Sequence, residues 1–343
     1  MFKISRKKIT IITVSVFSLI VVVSALGLGL FFLTPAKRGG SDQVIVLKEG
    51  MTLKEVADEL ERTGIISHGS LFMMWARLLG YSRQIKAGEY RLNSNMPPIK
   101  ILKDLTRGAI ITHSITIPEG FTKEQIAELL AIKGLADKKE FLSLTDDPEV
   151  SKKYGVGGSG LEGFLYPDTY QFGRGLFAES IIHVMVKRFW EVMRPFKVRV
   201  SETGMTMEEV VTLASIVEKE TGRPEERSLI ASVFLNRLKH GMRLESDPTV
   251  IYGMTNFNGN LTRKDLSTPT PYNTYVILGL PPGPVANPGL ESIKAVLYPA
   301  ETDYLYFVSK NDGSHYFSKT LSEHNKAVNR YQKKMPERHR KNS

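Results

Sequence analysis

The chain has no cysteine, which excludes disulfide bridges and thiol catalysis. That absence does not fix a compartment, because 343 residues are enough for two or three domains with real cores and need no disulfide to be stable outside the cytoplasm. Net charge is also missing where a nucleic-acid binder would carry it. Of the formal +10, residues 1–38 supply +6 and residues 333–343 supply +4, so the 294 residues between them sum to zero. No basic patch follows a phosphate backbone, and no nucleic-acid partner is expected. His315 and His324 lie nine residues apart on different elements with no third ligand at metal spacing, so neither a metal nor another cofactor is expected.

Residues 9–34 form an uncharged apolar run of 26 residues, preceded by four basic residues and followed by two. The run is long enough to cross a bilayer, and the charge bias leaves the N-terminus in the cytoplasm. A cleaved signal peptide has a shorter apolar core, so a retained anchor is the expectation. After a linker at 35–41, the segment from Val44 to Gly64 lines up with that from Ile115 to Gly134, and Glu49, Gly50, Thr52, Val56, Ala57 and Gly64 each find their counterpart 70 residues on. Each copy reads as a short strand, a turn through Gly50 or Gly120, a Thr N-cap with Glu or Gln three positions on, and an amphipathic helix ended by glycine. The pattern resembles that of LysM modules, which bind N-acetylglucosamine-containing chains, although strand-turn-helix geometry alone asks for the same residues. Pro118 and Phe121 carry the second copy further from it. Between the copies, Leu71–Gly80 reads as an apolar helix, with strands at Ile85–Leu92 and Ile110–Ile117. Leu161–Tyr170 is aromatic and interrupted by Pro and Gly, suited to sugar faces or to a buried turn.

The stretch Thr206–Gly222 is where chemistry is expected. Thr206 and Glu209 predict a capping box, Gly222 a left-handed stop, and Val210, Leu213, Ala214 and Val217 a core-facing stripe. Glu218 and Glu220 fall on opposite borders of that stripe, and periodicity does not choose between them. Val211 and Ala214 give Glu218 the more apolar flank, a modest preference. A second helix, Glu225–His240, carries Asn236 near its end. Ser246-Asp247-Pro248-Thr249 predicts a third helix with Asp247 as its cap. The Pro- and Gly-rich loops Thr268–Tyr275 and Gly279–Pro284 fix a non-repetitive backbone, and a hairpin is expected around Asn311-Asp-Gly313.

Six collinear motifs then become recognisable: Leu161–Tyr170, Ala214–Thr221, Ala231–Leu238, Ser246–Gly253, Thr270–Tyr275 and Gly279–Pro284. Together they resemble the YceG-like family of endolytic murein transglycosylases. The resemblance implies a single-pass protein of the cytoplasmic membrane whose extracytoplasmic part cuts nascent peptidoglycan within the strand, with a peptidoglycan synthase as a possible partner. It places the family's catalytic glutamate on Glu218; Glu245 departs from the Gln common in relatives. The implied chemistry uses one carboxyl: Glu218 protonates the oxygen between MurNAc C1 and GlcNAc O4, then takes the proton of the MurNAc 6-hydroxyl as it closes on C1. Candidates for holding the sugar are Tyr166, Asp168, Asn236, Asp247, Tyr252, Asn273, Thr274 and Tyr275. A hydrolase with Asp247 or Glu220 as second carboxylate, and a non-catalytic wall-binding scaffold, remain alternatives.

The expected fold class is therefore α+β: one transmembrane helix, a LysM-like strand/helix subdomain and a mixed α+β catalytic domain. The expected boundaries are a cytoplasmic segment 1–8, helix 9–34, linker 35–41, first repeat region 42–112, second repeat and connection 113–200, catalytic domain 201–332 and basic tail 333–343.

Overall fold

The computed structural model describes residues 6–37, 39–157 and 160–333. Residues 1–5 of the N-terminal segment and residues 334–343 of the basic tail lie outside the described residues. The chain divides into two compact units. The first comprises the chain up to His113 together with Gln171–Phe177; the second comprises Ser114–Tyr170 and the chain from Ala178 onward. The second copy of the repeat and the Thr206–Gly222 stretch thus belong to one unit, and residue 200 falls inside it.

Unit one holds α1 (Arg6–Leu33), β1 (Asp42–Leu47), α2 (Leu53–Arg62), α3 (Gly69–Leu78), β2 (Gly88–Asn93) and α4 (Pro98–Arg107). Within α1, Ile11–Leu33 is long and apolar enough to cross a bilayer. A core helix of that composition would be covered, whereas Ile12, Phe17, Leu19, Val23 and Leu30 of this one are exposed. At its end Phe32 stacks on Trp75 with ring centroids 4.9 Å apart. β1 and β2 pair antiparallel from Asp42↔Asn93 to Leu47↔Gly88. Their alternation turns Ile45, Leu47, Tyr90 and Leu92 inward, where Val56, Leu60, Phe72 and Ile101 complete the core.

Next in the chain come β3 (His113–Thr116), α5 (Lys123–Ile132), α6 (Lys138–Asp146), α7 (Pro148–Lys153), β4 (Thr169–Phe172), α8 (Ala178–Met193) and α9 (Lys197–Thr203). Then follow α10 (Met207–Glu220), α11 (Arg227–Lys239), α12 (Asp247–Tyr252), α13 (Arg263–Ser267), α14 (Leu290–Leu297), β5 (Tyr306–Ser309), β6 (His315–Ser318) and α15 (Leu321–Val328). The two repeat copies build the same local structure. Thr52 and Thr122 each close a full capping box, with Glu55 and Gln125, and Gly50 and Gly120 precede them at φ 84° and 74°.

The core of unit two is the packing of α10 with α11 and α14. Val210, Val211, Leu213, Ala214, Ile216 and Val217 of α10 are fully buried, and each large side chain among them contributes about 1.5–3 kcal/mol of burial. Thr206 and Glu209 form the expected capping box. The C-terminal end differs from expectation: the helix stops at Thr221 in an extended conformation with φ −141°, and Gly222 is not left-handed. Thr221 Oγ1 accepts from the Arg223 N–H at 3.0 Å, and Pro224 biases the residue before it away from helix, which removes the need for a glycine stop.

Candidate active site

The Glu218 side chain emerges near the C-terminal end of α10 and is only 7% exposed. Both of its carboxyl oxygens accept hydrogen bonds: Oε1 from Arg227 Nη2 at 3.3 Å and Oε2 from the Gly289 backbone N–H at 3.0 Å. Arg227 opens α11, and Gly289 is the N-cap of α14, so the packing of the core helices delivers both donors. A second carboxyl shares the cation, since Arg227 Nη2 lies 3.8 Å from Glu119 Oε2. The Arg227 Nε is buried without a hydrogen-bond partner. Neighbouring Lys219 donates through Nζ to the Gly120 carbonyl at 3.2 Å.

The loop that brings Gly289 to Glu218 is held by Asn287. Its backbone exchanges hydrogen bonds with the 120–121 turn, Gly120 N–H to Asn287 O and Asn287 N–H to Phe121 O, both at 2.8 Å. Its side chain accepts from the Leu165 N–H at 2.9 Å and donates to Glu162 Oε1 at 2.7 Å. Glu162 also accepts from the Lys123 N–H at the start of α5, 3.1 Å to each oxygen, and from the Tyr252 hydroxyl at 3.1 Å. Burial pushes this carboxyl up to about 8, against the pull of those donors. Gly163, at φ 85°, passes so close to Pro284 that a Cβ would come within 2.5 Å of its ring. Ser215 Oγ accepts from the Val285 N–H at 3.0 Å and fastens the same loop to α10. The Pro- and Gly-rich segments thus form one scaffold behind Glu218.

Glu220 faces different surroundings. It lines a cavity of about 490 Å³ with Arg237, Glu245, Asp247, Tyr275, His315 and His324. The Ser246 hydroxyl donates to Glu220 Oε1, and burial, then Asp247, push the Glu220 carboxyl up to about 7. Glu218 does not line this cavity.

The model of the YceG-like family matches residues 45–330. The chain belongs to this family. A curated relative from Bacillus subtilis, named endolytic murein transglycosylase, is 34% identical over 320 residues, covering 88% of this chain and 89% of its own length. A Streptococcus pneumoniae protein of the same name is 31% identical across 82% of this chain and 57% of its own length. The crystal structure of a YceG-like protein from Listeria monocytogenes, 36% identical, superposes with a TM-score of 0.59 over 84% of this chain and all of the other.

In this YceG-like chain the other residues singled out from the sequence divide in two. Tyr166 and Asp168 are tied to α8: the Arg188 guanidinium sits 5.9 Å from the Tyr166 ring centroid and donates to Asp168 at 2.7 Å, while burial, with a smaller contribution from Glu119, raises the Tyr166 hydroxyl. Tyr252 reaches Glu162 and packs on Tyr272 with ring centroids 4.8 Å apart. Asn273 and Thr274 are fully buried and bond inward. Asn273 Nδ2 donates to the carbonyls of Asp265, Leu266 and Thr268, and Thr274 Oγ1 pairs with Thr249. Asn236 donates to the Thr302 and Tyr304 carbonyls at 2.7 and 3.1 Å. Asp247 does not cap α12: Ser246 is the N-cap without a side-chain cap bond. The Asp247 carboxylate accepts instead from the Tyr275 hydroxyl at 2.7 Å, because Tyr275 offers a donor that the Ser246–Pro248 backbone does not.

Glu119, Arg227, Glu162 and Asn287 were not singled out as site residues from the sequence. Glu119 carried one faint signal there, as the glutamate of a Glu-Gly pair present in both repeat copies, Glu49-Gly50 and Glu119-Gly120. Arg227 meets Glu218 from the next helix, nine residues on and across the turn that ends α10, and Glu162 and Asn287 have partners thirty-nine and 125 residues away, which periodicity does not register.

Proposed function

We propose that this chain is a membrane-anchored endolytic lytic transglycosylase that cleaves the MurNAc–GlcNAc β-1,4 bond of nascent peptidoglycan. Its products end in 1,6-anhydro-MurNAc, so that strand elongation stops where it cuts. The observation that carries the proposal is the environment of Glu218, a carboxyl on the family's glutamate-bearing helix, almost enclosed and held by two donors on independent elements. Glu218 in its acid form gives its proton to the glycosidic oxygen as the C1–O4 bond breaks. Its carboxylate then takes the proton of the MurNAc 6-hydroxyl while that oxygen bonds to C1, and the enzyme returns to its starting state. The nucleophile is tethered to its own electrophile, so its effective concentration is high and no activated water is required.

This reading needs one carboxyl at the bond. Glu220 and Asp247, the other acids proposed for a two-carboxylate hydrolase, line the separate cavity and are engaged by Ser246 and Tyr275. Tyr166 and Asp168 are the sugar-contacting candidates that this geometry favours. Asn236, Asn273 and Thr274 act as supports for the loops around them, and Tyr252 supports Glu162. Helix α1 anchors the chain in the cytoplasmic membrane with its N-terminus inside, and the remainder works on the outer side, where a glycan synthase releases strands. The LysM-like repeats, residues 42–112 and the start of 113–200, serve glycan contact, with catalysis in 201–332 assisted by the second copy.

Glu218→Gln keeps the size and hydrogen-bonding reach of the side chain and removes its proton. It is expected to lower turnover of uncrosslinked glycan about a thousandfold or more, with thermal stability retained. Wild-type turnover by this variant would show that another group protonates the bond.

A further inference from the structure

The last turn of α1 makes two ring contacts with α3. Phe31 lies 5.7 Å from the His68 ring and Phe32 stacks on Trp75 at 4.9 Å, centroid to centroid. His68 is the N-cap of α3 and Trp75 stands seven residues on, a rise of about 10 Å along that helix, yet the residues they meet on α1 are consecutive. Helix α3 therefore crosses α1 instead of running beside it, and does so at the C-terminal end of the apolar run Ile11–Leu33. At 100 degrees per residue Leu71, Met74, Trp75, Leu78 and Leu79 share an arc of about 140 degrees, beside the face on which Phe72 and Ala76 are fully buried. Leu71, Met74 and Trp75 are partly covered. Leu78 and Leu79, one turn beyond Trp75, are 68% and 42% exposed, and Leu30 and Leu33 of α1 are also open. Residues 63–88 contain Arg77, Arg83 and Lys86 and no acidic residue, and these three basic side chains are exposed.

We propose that α3 is a second membrane contact: it lies in the headgroup region of the bilayer that α1 crosses, with Leu78 and Leu79 among the upper acyl chains and Arg77, Arg83 and Lys86 against anionic lipid headgroups. This rests on α1 spanning the membrane. A helix that crosses a spanning helix at the end of its apolar run lies near the membrane plane, at the depth where hydrocarbon gives way to headgroups. The residue types match that depth. Leucines suit the acyl boundary, and Trp75 and Tyr81 are of the kind that gathers at headgroup level. Arginine and lysine lay their stems along an apolar surface while their charges reach phosphate. No carboxylate in this stretch opposes an anionic surface. The patch also continues the apolar surface of α1, since Trp75 of the same face already stacks on Phe32. One spanning helix leaves unit one free to turn about it, whereas α3 in the interface fixes the height and facing of that unit on the bilayer.

The chain has no cysteine, so single-cysteine variants of the full chain take one dye each. Leu78→Cys, Leu79→Cys, Val22→Cys at the middle of the α1 run and Ile132→Cys on α5 all change exposed side chains. Each is labelled with a fluorophore and reconstituted into vesicles of phosphatidylcholine and phosphatidylglycerol that carry a nitroxide quencher either near the headgroup or deep in the acyl chain. Dyes at 78 and 79 are expected to be quenched at least about twofold more by the shallow nitroxide than by the deep one, and the dye at 22 in the reverse order. The dye at 132 sets the level for a residue in solvent. In vesicles of phosphatidylcholine alone the quenching at 78 is expected to weaken; equal quenching in both lipids would overturn the role given to the basic side chains. Dyes at 78 and 79 quenched no more than that at 132, with the dye at 22 quenched as expected, would overturn the proposal and leave the patch to another protein chain. A dye at 22 that neither nitroxide quenches would show that α1 does not span, and the anchor reading falls first and this inference with it.

Discussion

Glu218 and Glu220 sit two residues apart on α10, yet their carboxyls meet opposite conditions. Glu218 is fixed by Arg227 and a backbone N–H, whereas Glu220 faces a cavity with a hydroxyl donor and a neighbouring aspartate. Because burial raises the Glu220 carboxyl from 4.5 to about 7, the folded chain holds a proton there that the unfolded chain has already released. Stability attributable to this group is therefore lost as pH rises from about 4.5 to about 7. Glu220→Gln removes that dependence. The variant-minus-wild-type difference in thermal midpoint should grow across that interval and then level off; a difference independent of pH would mean that Glu220 is ionised in the folded state throughout. At this scale the sequence was half legible. The helical spacing found both glutamates and their opposite borders, and the flank of Val211 and Ala214 leaned only modestly to Glu218, since rank depends on Arg227, Gly289 and Ser246, which come from other elements. The resemblance to the family turned that modest lean into a choice of Glu218.

Local signals located the elements more surely than they located contacts. The capping boxes at Thr52, Thr122 and Thr206 were readable because cap and partner are three residues apart. The hairpin was readable from its turn, with Asn311 and Gly313 both at positive φ. The helix end at Thr221 and the Asp247–Tyr275 bond were not, because each is decided by a partner or a proline that competes with the local rule. The Pro- and Gly-rich loops marked a shaped surface without revealing its shape. That shape depends on Asn287, whose side chain joins the Leu165 N–H and the Glu162 carboxyl. Asn287→Ala strips two buried groups of a partner and should cost about 2–4 kcal/mol. It should also lower turnover by about a hundredfold through displacement of the Gly289 N–H. Denaturant midpoints and rates measured on the same preparation check both, and an unchanged rate in a destabilised variant would detach the loop from the chemistry.

For the whole molecule, the apolar run, the neutral body and the repeat were plain in the sequence, since each is a property of composition or of fixed spacing. The division into two units was not, because it assigns the short segment Gln171–Phe177 to the company of residues far upstream. Within helix α1 the run Ile11–Leu33 is long and apolar enough to cross a bilayer. The central claim is that the substrate supplies its own nucleophile, and its most direct test is the fate of water oxygen. Uncrosslinked glycan is digested by the full chain in detergent, in water enriched in heavy oxygen, and the new strand ends are weighed. The account predicts 1,6-anhydro-MurNAc ends that carry no label; reducing MurNAc ends bearing the heavy oxygen would contradict it.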